Sequence, residues 1–236
     1  VIRAAVDGAL NGGINFGASN MTEARFARAI CDRFGFERVR LMNSGTEANL
    51  LAITVARIFT RRRKVMVFNG GYHGAVFGFA GGGSPVNAPF DYVLAPYNDI
   101  EATRALIEQH GPDLAVVILE PMFGSGGCIP ALPAFLAMIR TETARVGALM
   151  ILDEVMTSRL APGGLQSVRD VTPDLTTLGK YVGGGMSFGA FGGRADIIDL
   201  FDPRRADALP HAGTFNNNVL TMAAGLAGLT QVYTPD

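Results

Sequence analysis

Cysteine, histidine and long apolar runs are all scarce in this chain of 236 residues. Two cysteines cannot build a disulfide framework, and the three histidines lack the spacing of metal ligands, so we expect a reducing compartment and no structural zinc. No uninterrupted apolar run approaches the length of about 18 residues that predicts a membrane-spanning helix. No signal peptide is predicted either.

Charge is also low, since 17% of the residues are charged and the formal net charge is −1. Such a chain has no basic field for nucleic acid or for an anionic membrane surface, and we expect neither partner. The hydrophobic fraction of 48% excludes a disordered chain. Among the basic residues only Lys64 and Lys180 are lysines. Lys64, beside a run of arginines, is interpreted as a surface cation.

Short apolar runs alternate with longer helical stretches, which is typical of an α/β sheet. Strands are predicted at 39–42, 64–68, 92–95, 114–119, 148–152 and 175–178. Several of these runs are apolar throughout, which indicates strands buried on both faces of a mostly parallel sheet. Helices are predicted at 21–33, 46–59, 100–109, 133–146 and 219–232.

The segment NSGTEA, residues 43–48, lies where a predicted strand turns into a helix. Ser44 and Glu47 have the spacing of a capping box, in which each side chain accepts a hydrogen bond from the other residue's backbone amide. Free amides at a helix N-terminus beside a glycine also bind phosphate groups. Both interpretations stay open for this segment.

The apolar run 148–152 ends in Asp153 and Glu154. Carboxylates at the carboxyl end of a buried strand lie where open α/β sheets bind ligands, and a helix cap after the strand is the alternative. A magnesium-binding aspartate of a nucleotide hydrolase would require a G-x-x-x-x-G-K-[ST] loop. The Gly-Lys pair at 179–180 lacks both the first glycine and the final Ser or Thr, so this class is excluded.

Lys180 follows an apolar run and precedes three glycines. Most lysines are solvated surface cations, but a partly desolvated lysine can act as a nucleophile toward an aldehyde. The glycines would let the backbone approach a bulky planar ligand closely.

Two other patterns predict little. The G-x-S-x-G pattern at 185–189 is that of serine hydrolases, but small residues on both sides of it do not fit the required strand, turn and helix. A complete G-x-G-x-x-G fingerprint for a dinucleotide is absent.

Taken in order, these segments resemble the class III pyridoxal-phosphate-dependent aminotransferases, the family that includes glutamate-1-semialdehyde aminomutase. The matching segments are NSGTEA (43–48), GGYHG (70–74), EPMFGSGG (120–127), LDEVMTS (152–158), TTLGKYVGGG (176–185) and HAGTFNNN (211–218). Within that family, 176–194 and 211–225 look most like the aminotransferases of aromatic β-amino acids.

The resemblance implies a fold type I α/β large domain over residues 1–236, with a mostly parallel seven-stranded sheet flanked by helices. The family's N-terminal segment and small C-terminal domain are missing from the sequence, which we interpret as truncated at both ends. The implied activity moves an amino group from an amino acid, such as β-phenylalanine, to a 2-keto acid, in a cytoplasmic homodimer with shared active sites. A glutamate-1-semialdehyde 2,1-aminomutase and a truncated cofactor-binding protein without turnover are the alternatives.

The resemblance also implies roles for individual residues. Lys180 would form a Schiff base with pyridoxal phosphate and shuttle a proton, and Asp153 would lie against the pyridine nitrogen. Ser44, Gly45 and Thr46 would hold the phosphate at the helix N-terminus.

Further implied contacts surround the ring. Tyr72 and Val155 would pack on its two faces, and Glu120 would lie close to the cofactor. Thr214 would reach the phosphate of the neighbouring subunit. His73 is expected to support its loop rather than to act as a base.

Overall fold

The computed structural model describes residues 1–14 and 17–234, which form an α/β fold. Its strands are β1 (Arg38–Met42), β2 (Lys64–Phe68), β3 (Asp91–Ala95), β4 (Leu114–Leu119), β5 (Leu149–Asp153), β6 (Leu175–Gly179) and β7 (Gly189–Gly193). Its helices are α1 (Ile2–Gly12), α2 (Met21–Phe34), α3 (Gly45–Thr60), α4 (Ile100–His110), α5 (Pro133–Val146), α6 (Leu165–Val168), α7 (Ala195–Ile198) and α8 (Val219–Gln231).

The strands described form one seven-stranded sheet in the order β1-β7-β6-β5-β4-β2-β3. The pairs β2–β3, β2–β4, β4–β5 and β5–β6 are parallel, whereas β7 runs antiparallel to β1 and β6. Parallel strands require long crossover connections, such as α4 between β3 and β4 and α5 between the neighbours β4 and β5. The expectation of a mostly parallel seven-stranded sheet is therefore confirmed.

Helices cover both faces of the sheet, and side chains alternate between two cores. Val65 and Val67 of β2 pack with α3 on one face, while Met66 and Phe68 pack with α4 and α5 on the other. All six residues of β4 are buried, as predicted for a strand covered on both faces. A third core joins α2 to α8.

The predicted strands and helices agree with the structure to within one residue at each end. Sequence patterns did not reveal β7, whose sequence is GAFGG. Glycine is depleted in strands, but here it is required by close packing. A Cβ at Gly189 would lie 2.0 Å from the Ser44 carbonyl oxygen, and one at Gly192 would lie 2.1 Å from the Phe36 ring.

The parallel arrangement brings the carboxyl ends of β4, β5 and β6 to one edge of the sheet. Glu120 follows β4 directly, Asp153 ends β5, and Lys180 follows β6. Ligands bind at this edge in open α/β sheets. Separately, none of the helices in the described ranges is both long and apolar enough to span a membrane.

Candidate active site

A cavity of about 400 Å³ lies at this edge of the sheet. Seven of the predicted site residues line it, namely Gly45, Thr46, Tyr72, Glu120, Asp153, Val155 and Lys180. The described lining does not include the other two, Ser44 and Thr214. Ser44 is the N-cap of α3, beside the cavity. Thr214 lines a separate groove.

The N-terminus of α3 borders the cavity. Ser44 Oγ accepts a hydrogen bond from the Glu47 amide at 3.1 Å. The reciprocal bond of the predicted capping box is not made to Ser44, because the Glu47 carboxylate accepts from the Asn43 amide at 2.8 Å instead. The amides of Gly45 and Thr46 have no acceptor within their own helix. The helix therefore presents partial positive charge and hydrogen-bond donors beside the cavity.

Glycines allow the surrounding loops to pack tightly on this helix. A Cβ at Gly45 would lie 3.0 Å from both methyl carbons of Val155. At Gly74, where φ is +124°, a Cβ would lie 2.3 Å from Thr46 Oγ1. That hydroxyl oxygen accepts a hydrogen bond from the Ala75 amide at 3.2 Å. The helix terminus is thus held between Val155 and the loop at 70–74.

Asp153 is 5% exposed and is surrounded by hydrogen-bond donors. Its Oδ2 lies 2.8 Å from both His73 Nδ1 and Asn49 Nδ2, and its Oδ1 accepts from the Val155 amide at 3.0 Å. These contacts place three hydrogen-bonding partners around a buried carboxylate. The His73 side chain therefore contacts Asp153, and its predicted role in supporting the loop stays a prediction.

Glu120 connects the two glycine-rich loops at the rim of the cavity. Its Oε2 accepts from the Tyr72 amide at 3.0 Å, and its Oε1 accepts from the Gly124 amide at 2.9 Å. Burial raises the pKa of Glu120, and the two amides oppose that shift. The Tyr72 side chain itself is 48% exposed, so one face of the cavity is bordered by an accessible aromatic ring.

Glu154, unlike its neighbour Asp153, is not among the residues described as lining the cavity. Its carboxylate is fully buried and accepts from the amides of Leu165 at 3.0 Å and Gln166 at 2.6 Å. The Thr157 hydroxyl donates a third hydrogen bond at 2.5 Å. Burial raises the pKa of Glu154. Glu154 therefore fits the helix-cap alternative, since it accepts from the first amides of α6, whereas Asp153 lines the cavity and its role in ligand binding stays a prediction.

Lys180 lies in the left-handed region with φ of +53°, which is uncommon for a residue with a side chain and often marks a functional site. The residue is exposed at the cavity, and its action as a nucleophile stays a prediction. Within residues 1–14 and 17–234 its ammonium group has no hydrogen bond or ion pair. The backbone that follows β6 therefore places this side chain at the cavity.

Lys64, interpreted from the sequence as a surface cation, is partly exposed and contacts one histidine side chain. It is half-buried at the start of β2, and its Nζ lies 3.0 Å from His110 Nδ1. The residue is on the amino end of its strand, away from the cavity.

Thr214 belongs to a loop that is fixed on β1 rather than on the cavity. Arg40 Nε donates to His211 Nδ1 at 2.8 Å, and Asn43 Nδ2 donates to Asn216 Oδ1 at 2.9 Å. Burial, and then the charge of Arg40, lower the pKa of His211. The chain therefore anchors the loop at 211–218 firmly, outside its own cavity.

Sequence reasoning missed several residues of the cavity, namely Asn49, Gly74, Gly124, Ser125 and Met156. A signal existed for Asn49, which stands four residues after Gly45 and so shares a helix face with it. The others lie in loops whose path depends on tertiary contacts.

The class III aminotransferase profile matches residues 4–236. The chain is 59% identical to a β-phenylalanine transaminase from Variovorax paradoxus over 100% of its own length and 54% of that protein. It is 41% identical to glutamate-1-semialdehyde 2,1-aminomutase 2 from Brevibacillus brevis over 94% of the chain and 55% of the aminomutase.

A solved structure of a β-phenylalanine aminotransferase from Variovorax paradoxus superimposes with a TM-score of 0.97 at 60% identity, over 99% of this chain and 54% of that one. This likeness confirms the fold type I expectation. The chain spans about half the length of these relatives. With nearly all of its residues matched to the profile, the chain belongs to the class III aminotransferase family.

Proposed function

We propose that this chain provides the cofactor site of a pyridoxal-phosphate-dependent transaminase. In this proposal an aromatic β-amino acid such as β-phenylalanine donates its amino group, and a 2-keto acid accepts it. The observation that carries the proposal is one cavity lined by the unpaired amine of Lys180, the buried carboxylate of Asp153 and the N-terminus of α3. The similarity to a β-phenylalanine transaminase supports the choice of donor.

Class III aminotransferases use pyridoxal phosphate, and the residues present fit it. The cavity of about 400 Å³ lies within the usual range for small ligands, which is roughly 300–1,000 Å³. Amides without an acceptor in their own helix suit a phosphate, a carboxylate suits a protonated ring nitrogen, and a lysine without a hydrogen-bond partner in the described ranges suits an aldehyde.

When bound, pyridoxal phosphate supplies an electron sink for the carbanion formed beside the transferred amine. In the proposal, the amides of Gly45 and Thr46 bind the phosphate, and Ser44 fixes the helix terminus that presents them. Tyr72 and Val155 confine the ring between them.

Asp153 would accept a hydrogen bond from the ring nitrogen and would favour the protonated form of that nitrogen. Lys180 Nζ would hold the cofactor through its aldehyde group, whose oxygen would leave as water, and the same amine would carry a proton to and from the substrate carbon. Glu120 holds the Tyr72 amide and thereby positions the loop that covers the ring.

The test of Asp153 is an Asp153→Asn variant. Asparagine is of similar size, so cofactor binding should survive, but the charge that holds the ring proton is lost and most turnover should be lost with it. Keto-product formation from β-phenylalanine and a 2-keto acid measures turnover. Turnover equal to wild type would refute this role.

We also propose a cytoplasmic homodimer with shared active sites. Thr214 lies outside its own chain's cavity, on an anchored loop that lines a groove of about 910 Å³. Cys31 and Cys128 are free thiols, as suits a reducing compartment.

Light scattering tests whether the protein is a dimer. A mixture of Lys180→Ala and Thr214→Ala chains tests whether two chains share each active site. Recovery of tight cofactor binding in the mixture supports it, and no recovery contradicts it.

The aminomutase remains a second candidate because of the 41% identity to that enzyme. Incubation with glutamate-1-semialdehyde and with β-phenylalanine separates the two activities. Cofactor binding without product from either substrate would support the third alternative, a binding protein without turnover.

A further inference from the structure

Asn49 and Thr177 form a buried polar pair behind Asp153. Asn49 is 1% exposed in α3, and Thr177 lies fully buried in β6, beside Asp153 in the sheet register. The Thr177 hydroxyl donates to Asn49 Oδ1 at 2.7 Å. Asn49 Nδ2 then donates to Asp153 Oδ2 at 2.8 Å and to the His73 carbonyl oxygen at 2.9 Å.

These contacts permit a single orientation of the Asn49 amide. The reverse orientation would place the Asn49 oxygen against the Asp153 carboxylate and the His73 carbonyl, neither of which can donate. Because Thr177 donates to the amide oxygen, it holds both amide hydrogens toward those acceptors. Thr177 therefore acts on Asp153 through Asn49.

The hydrogen bonds also distinguish the two oxygens of Asp153. An ionised carboxylate has about two acceptor positions on each oxygen. Those of Oδ2 are taken by His73 and Asn49, whereas Oδ1 has one contact, from the Val155 amide. The open acceptor position is on Oδ1.

We propose that Asn49 and Thr177 are positioning residues that keep the negative charge on Asp153 and present Oδ1 to the ring nitrogen of pyridoxal phosphate. The inference rests on the proposed function and deepens it. A proton between Asp153 and the ring nitrogen is shared by two basic atoms. Donors to Oδ2 stabilise the charged carboxylate, so the proton stays on the ring nitrogen.

The first test compares two ligands, pyridoxal phosphate and its carbocyclic analogue in which C–H replaces the ring nitrogen. Asn49→Ala should weaken binding of pyridoxal phosphate about tenfold, because Asp153 is then held less firmly in the charged form and orientation that the ring nitrogen requires. Binding of the analogue, which cannot interact with Asp153 in this way, should not change. Equal weakening of both ligands would show a merely structural role and overturn the inference.

The second test uses pyridoxal phosphate labelled with ¹⁵N in the ring. Its nitrogen resonance reports whether the bound ring is protonated. In Asn49→Ala and in Thr177→Val the resonance should move toward the unprotonated position, and Thr177→Ser, which keeps a hydroxyl, should restore it. A resonance unchanged in both variants would overturn the inference.

Thr176→Val is the matched control for Thr177→Val. It removes a buried hydroxyl from the same strand, but that hydroxyl donates to Gln166 Oε1 at 2.7 Å, away from Asp153. It should leave both the ligand discrimination and the nitrogen resonance as in wild type. A change equal to that of Thr177→Val would contradict the proposed specificity.

Wild-type behaviour separates this inference from the proposed function. If the wild-type protein fails to bind pyridoxal phosphate, the proposed function falls, and this inference with it. If the wild type binds and its variants do not discriminate between the ligands, the inference alone falls.

Discussion

Replacing Gly189 with alanine would place a methyl group against the backbone that begins α3. The Cβ would lie 2.0 Å from the Ser44 carbonyl oxygen, and real Cβ atoms stay at least 3.0 Å away. That oxygen already accepts the Ala48 amide at 3.0 Å, the first hydrogen bond of the helix. The contact must therefore open by about 1 Å through movement of backbone, since no flexible side chain is involved.

The loss of folding stability depends on which segments must move. Overpacking of a core costs about 1–3 kcal/mol, and we expect the upper part of that range because backbone is displaced on both sides. In the sheet Gly189 pairs with Met42 and with Gly179, next to Lys180. The displacement should therefore also weaken binding of pyridoxal phosphate.

Urea denaturation measures the loss of stability, and titration with pyridoxal phosphate measures affinity. Gly8→Ala is the matched control, because it adds the same methyl group in α1 with no atom within 4 Å. As an alanine within a helix, it should raise the free energy of unfolding by up to about 1 kcal/mol. A Gly189→Ala protein with the stability and affinity of wild type would refute the reasoning.

Two further predictions concern stability. Asp174→Ala should lower the free energy of unfolding by roughly 2–3 kcal/mol, because it removes the acceptor of the buried Met150 amide and of Arg140, as urea denaturation would show. For His211 the folded pKa lies below 6.5, through burial and then Arg40, so the unfolded chain binds more protons. Stability is then lost as the pH falls from 6.5 through the folded pKa, and His211→Gln should flatten the stability profile in that window. If stability fell as steeply with pH in His211→Gln as in wild type, this prediction would be contradicted.

Much of the fold could be predicted because burial leaves a direct trace in sequence. The run LAVVIL in β4 is apolar at every position, as a strand covered on both faces requires. The strand β7, GAFGG, has no such apolar run in its sequence. Gly189 and Gly192 have no room for a Cβ because the Ser44 carbonyl and the Phe36 ring lie against them. Only the folded chain brings these groups together.

The site shows the same division. Asp153 and Lys180 could be predicted because the ends of parallel strands meet at one edge, and because their segments resemble a known family. The exposure of Lys180 could not be predicted from the sequence. The apolar residues beside it in the chain, such as Val182, are buried themselves, but the lysine side chain is not. The contacts of Asn49 with Asp153 and Thr177 span 104 and 128 residues, beyond any local pattern.

The most direct test of the central claim is to identify the lysine that binds pyridoxal phosphate. The chain has two lysines, so Lys64→Ala is a control for Lys180→Ala. Each protein is mixed with pyridoxal phosphate, its visible absorption is recorded, and it is reduced with borohydride for peptide mass spectrometry. The account predicts a visible band and a modified Lys180 in wild type and in Lys64→Ala, and neither in Lys180→Ala. A band that survives in Lys180→Ala would contradict it.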